Sequence, residues 1–205
     1  MKERKEGLKK LKKSLLLLSI ISSIIVIIFE FTQWHIEDIL TVFLMPFVWL
    51  IVFGFFLFVT VISFIFLFKN KNWKPVVVQM ITILLLIFVP FNQIVLNAEF
   101  KEHKSEREKV VKMVSNGSLK PNVSYNKTLI HLPKKYAPLS KGGGDIVVEG
   151  DGNNIKILFY TFRGVLDNFS GFVYSPHTKP SLNDFGGDFK QIEKLDKDWY
   201  FVGSY

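Results

Sequence analysis

KKLKKSLLLLSIISSIIVIIFE, residues 9–30, joins a lysine-rich segment to an apolar run and decides the class of the protein. Residues 1–13 carry seven basic and two acidic side chains, whereas residues 15–29 carry no charge. A basic segment before an apolar run also occurs in secretory signal peptides. No small-residue cleavage site follows the run, since the charged Glu30 comes next. We therefore expect an uncleaved membrane span over about residues 14–34.

Two further apolar runs follow the first. Residues 39–68 include no charged residue, and at about 1.5 Å per residue a helix of this length spans roughly 45 Å, against a hydrocarbon core of about 30 Å. This length is too short for two antiparallel crossings and a turn, so we expect one span over about residues 42–68. The third run predicts a span over about residues 75–96, with a kink at Pro90.

The distribution of charge predicts how the chain is oriented. The formal net charge of +8 lies in residues 1–13 and in a second basic segment that contains Lys69, Lys71 and Lys74, while the loop between the first two runs is acidic. Lys and Arg near membrane spans stay on the cytoplasmic side. Three spans then predict a cytoplasmic N-terminal tail, a membrane domain over residues 14–96 and an extracytoplasmic domain over residues 97–205.

The composition argues against several classes of function. The chain has no cysteine, so disulfides, cysteine-ligated metals and thiol nucleophiles are excluded. None of the apolar runs has an ionisable residue at its centre, which argues against a transporter or channel. Residues 97–205 carry 16 basic and 13 acidic residues, a near balance that indicates no nucleic-acid partner. We expect no cofactor, and the frequent Phe, Ile, Lys and Asn are typical of a bacterial protein.

Residues 97–205 have the pattern of a small α+β domain. Residues 98–116 alternate in charge at helical spacing and end before Gly117, which predicts a helix that continues from the third span. Six later segments are rich in β-branched and aromatic residues between turn residues: KTLIHLP, DIVVEG, IKILFYTFRG, FSGFVYSP, FKQIEKL and DWYFVGSY. They predict an antiparallel β-meander of about three to five strands. The Asp-Gly pair in residues 149–154 predicts a hairpin turn of a primed type.

The segment ILFYTFRG provides the candidate site. Alternation along a strand predicts that Arg163 shares one face with Ile157 and Phe159. Both faces are apolar, so we expect a central strand, covered by the helix on one side and by loops or a partner on the other. Arg163 ends this strand, and Asp167 and Asn168 lie in the following turn. These three residues are the predicted binding site, and the alternative is a turn held by an ion pair between Arg163 and Asp167.

Two other groups of residues were weighed as sites. His177, Asp184 and Asp188 combine residue types that bind divalent metals, but their spacing matches no ligand motif, so we expect a solvated loop and no metal site. KGGGD, residues 141–145, has the glycines of a phosphate-binding loop but precedes a strand, not a helix, which predicts a connector. Neither a nucleophile elbow nor paired catalytic carboxylates is present, and no catalytic residue is assigned.

The C-terminal part of the chain also resembles a known type of module. FYTFRGVLDNFSGFVYSP, followed by NDFGGDF and DKDWYFV, is similar to a C-terminal module that recurs in uncharacterised bacterial proteins. The resemblance covers about residues 144–205. It implies a module boundary and carries no activity with it.

Together these patterns predict a multi-pass protein of a bacterial cell membrane that contacts the lipid bilayer and presents an extracytoplasmic protein-interaction domain. The partner would be a protein or envelope component, in an immunity role against a secreted toxin or in a surface complex. The alternative is a membrane-anchored enzyme acting on envelope material, with its pocket at Arg163 and Asp167. A deep cleft joining these residues to His177 would favour the enzyme, whereas a flat surface of exposed aromatic side chains would favour the binding module.

Overall fold

The chain divides into a helical unit and an α+β unit. The computed structural model describes residues 2–40, 43–164 and 168–204. The two compact units are Met1–Val95 and Leu96–Tyr205, and each is described by itself below. The predicted α+β class is confirmed, because the second unit combines helix with an antiparallel sheet.

Four helices account for the apolar part of the chain: α1 (Lys2–Leu40), α2 (Met45–Asn70), α3 (Lys74–Phe88) and α4 (Phe91–Ser115). In the described residues, α1 and α2 are each long and apolar enough to cross a membrane. The pair α3 and α4 passes the same test only together, with a bend of 57° at the break between them. The kink predicted at Pro90 is confirmed, because proline cannot donate the helical hydrogen bond. The helices thus provide two or three candidate spans.

The ends of these helices follow local sequence signals. Pro46 and Pro75 each lie in the first turn of a helix, where the missing N–H is not needed. The predicted C-cap at Gly117 is also found: its φ is +74°, and its N–H donates to the carbonyl of Val114 at 3.0 Å. Glycine reaches this left-handed conformation without a steric penalty. The charged helix ends here, as the sequence predicts.

The interior of the first unit contains a network of polar side chains. Gln79 is fully buried. Its Nε2 donates to the Ser19 carbonyl at 3.1 Å and to Ser22 Oγ at 3.0 Å, and its Oε1 accepts from Thr60 Oγ1 at 2.8 Å. These partners belong to α1 and α2, so one amide links three helices. Polar side chains that meet in this way hold helices together where lipid cannot satisfy them.

The second unit is built on one six-stranded antiparallel sheet. The strands are β1 (Leu129–His131), β2 (Asp145–Glu149), β3 (Lys156–Arg163), β4 (Phe169–Tyr174), β5 (Phe189–Asp196) and β6 (Trp199–Ser204). Their order is β1-β2-β3-β4-β6-β5. All six predicted segments form strands, so the expected count of three to five is too low, and the order departs from a meander where β6 lies between β4 and β5. Every residue of β6 is buried, because this position covers both of its edges.

The hairpin between β2 and β3 is confirmed, with Glu149 opposite Lys156. Its connection is longer than the predicted two-residue primed turn, since Gly152–Asn154 forms a short 3₁₀ turn within it. Gly150 and Gly152 both have positive φ, which explains why glycines stand there.

Both faces of the sheet are covered, and β3 lies near its centre as predicted. On one face Phe100 of α4 contacts Phe172 and Trp199, with ring centroids 5.4 and 5.7 Å apart. On the other face, the loop residues Val123 and Phe185 pack against the sheet. That second core contains Leu129, Val147, Leu158, Tyr160, Phe169, Val173, Phe189, Tyr200 and Val202. The aromatic residues of β4 and β6 are therefore largely core.

Candidate functional site

The site is built at the end of β3, where a bulge changes the direction of Arg163. The register shifts between Tyr160 and Phe162, so Thr161 is the extra residue. Arg163 consequently lies opposite Phe169, and its guanidinium carbon lies 5.2 Å from the centroid of the Tyr160 ring. The prediction that Arg163 shares a face with Ile157 and Phe159 is wrong, because one inserted residue reverses the alternation.

Arg163 is joined there by an aspartate and a histidine from two neighbouring strands. His131 and Asp145 face each other in the register of β1 and β2. Asp145 Oδ1 lies 2.8 Å from His131 Nδ1, and its Oδ2 accepts from Arg163 Nη1 at 3.4 Å. We call His131, Asp145, Tyr160 and Arg163 the strand-end cluster. The Asp145 carboxylate bridges the side chains of His131 and Arg163. Both reach the surface, since they are 62% and 44% exposed.

The edge of the sheet beside this cluster is closed by a side chain. Asn122 Nδ2 donates to the carbonyl of His131 at 2.9 Å, and the His131 N–H donates to Asn122 Oδ1 at 2.7 Å. The amide thus replaces the next strand at this residue. His131 is held by its backbone, while its ring remains free to contact solvent.

The connector has three glycines at positive φ, and one of them, Gly142, lies next to Arg163. Gly142, Gly143 and Gly144 have φ values of +69°, +106° and +78°, a region that other residues rarely adopt. A Cβ on Gly142 would lie 3.0 Å from Arg163 Cβ. The loop is tied to the sheet, because the Lys141 N–H donates to the Tyr160 carbonyl at 2.8 Å. The connector predicted from KGGGD is therefore a shaped part of the site.

The other residues of the predicted site do not join this arrangement in the described part of the chain. Asp167 lies outside the described residues. Asn168 is exposed, and its carbonyl accepts from the Gly164 N–H at 2.8 Å. Sequence reasoning paired Arg163 with the nearest carboxylate along the chain and missed Asp145. The only available signal was that Asp145 opens a strand beside three glycines.

The strand-end cluster brings a guanidinium, a carboxylate, an imidazole and a phenol ring together at one end of the sheet. Burial raises the pKa of the Tyr160 hydroxyl, and the Arg163 charge opposes that rise. Asp145 fixes His131 by Nδ1, and the exposed ring leaves Nε2 to act as donor or acceptor. In the described residues no serine or threonine hydroxyl hydrogen-bonds to this histidine, so the hydroxyl–imidazole pair of a hydroxyl nucleophile is not found there.

The loop predicted to be a solvated turn uses its acidic residue structurally. Asp184 Oδ2 accepts from Lys156 Nζ at 2.5 Å and from the Ser181 N–H at 2.9 Å. Burial alone would raise the pKa of Asp184, but these hydrogen bonds outweigh it and lower that pKa. Among the described residues, no group of three or more His, Asp or Glu could hold a metal ion.

His177 and Arg163 do not line one cleft. Strand β4 begins at Phe169, opposite Arg163, and ends at Tyr174, shortly before His177. The two residues therefore lie at opposite ends of the sheet. The deep cleft that would have favoured an enzyme is not formed by this pair.

A second charged residue that the sequence did not single out is buried beneath the sheet. Arg107 of α4 is 1% exposed, and its guanidinium carbon lies 4.4 Å from the centroid of the Phe172 ring. Its Nη2 donates to Glu99 Oε1 at 2.8 Å, and its Nε donates to the Leu139 carbonyl at 3.4 Å. Burial lowers the pKa of Arg107, and Glu99 opposes this effect. Arg107 therefore turns inward to Glu99 on its own helix instead of facing solvent with the other charged residues of α4.

No family model matches this chain, and comparison with curated proteins and with solved structures gives no match. The similarity of residues 144–205 to a bacterial module therefore stays a prediction. The class of the protein is defined by its own features: an α+β unit with a polar strand-end cluster, joined to apolar helices that provide two or three candidate spans.

Proposed function

We propose that this chain is a multi-pass protein of a bacterial cell membrane that presents its α+β unit outside the cytoplasm as a protein-interaction domain. The observation that carries this proposal is the clustering of basic charge at one end of the helical unit. Lys12 Nζ donates to the Asn70 carbonyl at 3.0 Å, which joins the basic tail to the turn between α2 and α3. Both basic segments thus occupy one end, and basic ends stay cytoplasmic.

Three crossings would then put the second unit on the opposite side. The helices α1 and α2 supply two, and α3 with the apolar start of α4 supplies the third. A break at Pro90 is compatible with a span, because neighbouring helices and polar side chains satisfy the freed backbone groups. Asn92, just after the break, accepts a hydrogen bond from Gln33 of α1 at 3.0 Å.

The absence of cysteine allows a direct test of this topology. We expect Ser118→Cys to react with a membrane-impermeant maleimide in intact cells, and Lys71→Cys to react only after lysis. The unsubstituted chain is the matched control and should not be labelled. Labelling of Lys71→Cys but not Ser118→Cys in intact cells would refute the proposed orientation.

The strand-end cluster is the proposed contact surface for a protein or envelope partner. The aromatic residues that might have formed such a surface are mostly core, and Tyr125 and Leu182 are the exposed large hydrophobic residues in the described part of the second unit. Strand addition is disfavoured at β5, whose pairing has two irregularities, because bulged edges resist pairing. The contact is therefore polar and uses His131 and Arg163. An immunity role or a surface complex would both fit such a contact.

Site-specific photocrosslinking in cells tests this surface. A crosslinking residue in place of His131 should yield a discrete adduct, and the same residue in place of Lys179, exposed near the other end of the sheet, should not. Loss of the His131 adduct in Arg163→Ala would support a shared surface. Identical adducts from both positions, or none from His131, would contradict the proposal.

The rival function is a membrane-anchored enzyme acting on envelope material, and the pairing of Asp145 with His131 is the observation that favours it. A carboxylate that orients an imidazole can create a general base. If the chain is an enzyme, the purified protein should turn over an envelope substrate, and His131→Gln and Asp145→Asn should both reduce kcat strongly. Unchanged turnover in both variants would exclude the cluster as its catalytic centre.

A further inference from the structure

The turn between α2 and α3 gathers positive charge without acidic partners. Lys71 lies in this turn, Lys69 lies in the last turn of α2 and Lys74 begins α3. Lys12 reaches the carbonyl of Asn70, the last residue of α2. Lys9 precedes Lys12 by three residues and lies on the same side of α1. In the described part of the chain no ion pair joins these lysines to a carboxylate. An anion at this turn would therefore meet uncompensated positive charge.

The turn also contains a buried hydrogen-bond donor without a partner. Asn72 Nδ2 has no hydrogen-bond acceptor within the described residues and is shielded from solvent. Leaving a buried donor unsatisfied costs free energy. It is the one such side-chain atom in the described part of the chain. Asn72 as a residue is part-exposed, so a rotation of its side chain would let this donor meet an acceptor oxygen of a ligand and remove the penalty.

The start of α3 adds backbone donors at the same place. Its N-cap, Trp73, makes no side-chain capping bond. The N–H groups of Lys74 and Val76 therefore remain available, whereas Pro75 has none. Helix N-termini favour anions and disfavour cations. Lys74 nevertheless occupies the first position of the helix, where it gives the helix no stability. A bound anion would make this lysine favourable.

Exposed apolar side chains flank these donors. Phe68 is 80% exposed and Trp73 is 59% exposed, and both are adjacent in sequence to the lysines of the turn. Charge beside apolar surface is the combination presented by a phospholipid, whose phosphate lies next to its acyl chains. A free inorganic anion would make no favourable contact with the exposed Phe68 and Trp73 side chains.

We propose that the α2–α3 turn binds the phosphate group of an anionic phospholipid. Asn72 Nδ2, once its side chain rotates, and the free N–H groups in the first turn of α3 donate to the phosphate oxygens, while Lys12, Lys71 and Lys74 supply the charge. Phe68 and Trp73 contact the glycerol and acyl region. The inference rests on insertion of the helices into a membrane but not on their orientation, because both faces of a detergent micelle or nanodisc are equivalent.

Native mass spectrometry of the full chain in detergent, titrated with phosphatidylglycerol or phosphatidylcholine, tests this site. Both lipids contain phosphate, but only phosphatidylglycerol has a net negative charge. We expect preferential retention of phosphatidylglycerol, and about fivefold weaker binding in Lys74→Gln. Lys5→Gln removes the same charge farther along α1 and is the matched control. Equal weakening in both variants would overturn the proposal, because it would show diffuse attraction.

Asn72→Leu separates a binding role from a structural one. It should weaken phosphatidylglycerol binding by a similar factor, yet leave the lipid-free protein as resistant to unfolding as before or more so, because an unpartnered donor is removed. Unchanged lipid binding in Asn72→Leu would overturn the proposal. Displacement of the lipid by millimolar inorganic phosphate alone would assign the site to a free anion instead of a lipid. Reversed cysteine labelling would refute the topology but leave this site standing.

Discussion

Replacement of Arg107 by methionine tests whether the inward-turned arginine stabilises the α+β unit. Methionine keeps much of the side-chain volume and removes the charge. The substitution breaks the hydrogen bond to Glu99 at 2.8 Å and the contact with Phe172. It also leaves the Glu99 carboxylate, 20% exposed, with less compensation.

The expected loss follows from these contacts. Removing one partner of a buried ion pair costs about 3–5 kcal/mol, but water can reach Glu99 and reduces that cost. The cation–π contact adds roughly 1 kcal/mol to what is lost. We therefore expect Arg107→Met to lower the free energy of unfolding of this unit by about 3 kcal/mol. Arg107→Met combined with Glu99→Gln should lose less than Arg107→Met alone, because the stranded charge is gone.

Hydrogen exchange measured by mass spectrometry on the full chain in detergent reports this locally, through the amides of β3 and β4. Lys109→Met on the same helix is the matched control. Its side chain is half-exposed, and we expect its effect to stay within about 0.5 kcal/mol. A loss below about 1 kcal/mol in Arg107→Met would refute the reasoning, as would a double variant less stable than Arg107→Met.

Three further predictions address other parts of the chain. Gln79→Leu should destabilise the helical unit by about 1–2 kcal/mol in mixed-micelle unfolding followed by circular dichroism, since each interhelical hydrogen bond contributes about 0.6 kcal/mol; no change would show that the network is not stabilising. Gly144→Ala should cost about 1–3 kcal/mol by hydrogen exchange, because its Cβ would lie 2.7 Å from that of Ala137. Gly143→Ala is also at positive φ, +106°, but its Cβ would meet open space. It should cost less, and equal losses would contradict the steric argument. Because the pKa of Asp184 is lowered in the folded state, its contribution to the free energy of unfolding is present above the ordinary pKa of 3.8 and is lost as pH falls through the lower folded-state pKa. Asp184→Asn should therefore be less stable than the unsubstituted chain near neutral pH and lose less stability below about pH 4 in an acid titration. Parallel titration curves for the two proteins would argue against this role of Asp184.

Much of the local structure was predictable because it follows from nearest neighbours along the chain. Period-two alternation identified all six strand segments and the central position of β3. Gly117 marked the end of the long helix, and Pro90 marked the break before it. In each of these cases the determining group is the residue itself: a missing Cβ, a missing N–H or a branched side chain.

The order of the sheet was less predictable, because strands choose partners by burial as well as by sequence order. The β5–β6 hairpin joins the sheet through β6, not β5. β6 is buried along its whole length, whereas β5 contains exposed residues such as Lys190 and Lys194. The more apolar strand, β6, takes the inner position beside β4. The sequence shows this only when the apolar content of β5 and β6 is compared directly.

The candidate site depended on contacts between distant residues. One bulge residue, Thr161, turns Arg163 onto the face of Tyr160 and towards Asp145. Gly142, at positive φ and without a Cβ, leaves room for its side chain. Proximity along the chain had favoured Asp167, because spacing is the only measure of distance that a sequence offers.

Hydropathy and charge are properties of single residues, so the apolar helices, the separation of basic charge into two short segments and the strand content of the second half follow from the amino-acid order alone. Three features are visible only in the folded chain: the two basic segments meet at one turn, Gln79 joins three helices, and Arg107 is buried. These features arise where elements far apart in the chain come into contact. A polar group buried there loses water and must hydrogen-bond to another protein group instead.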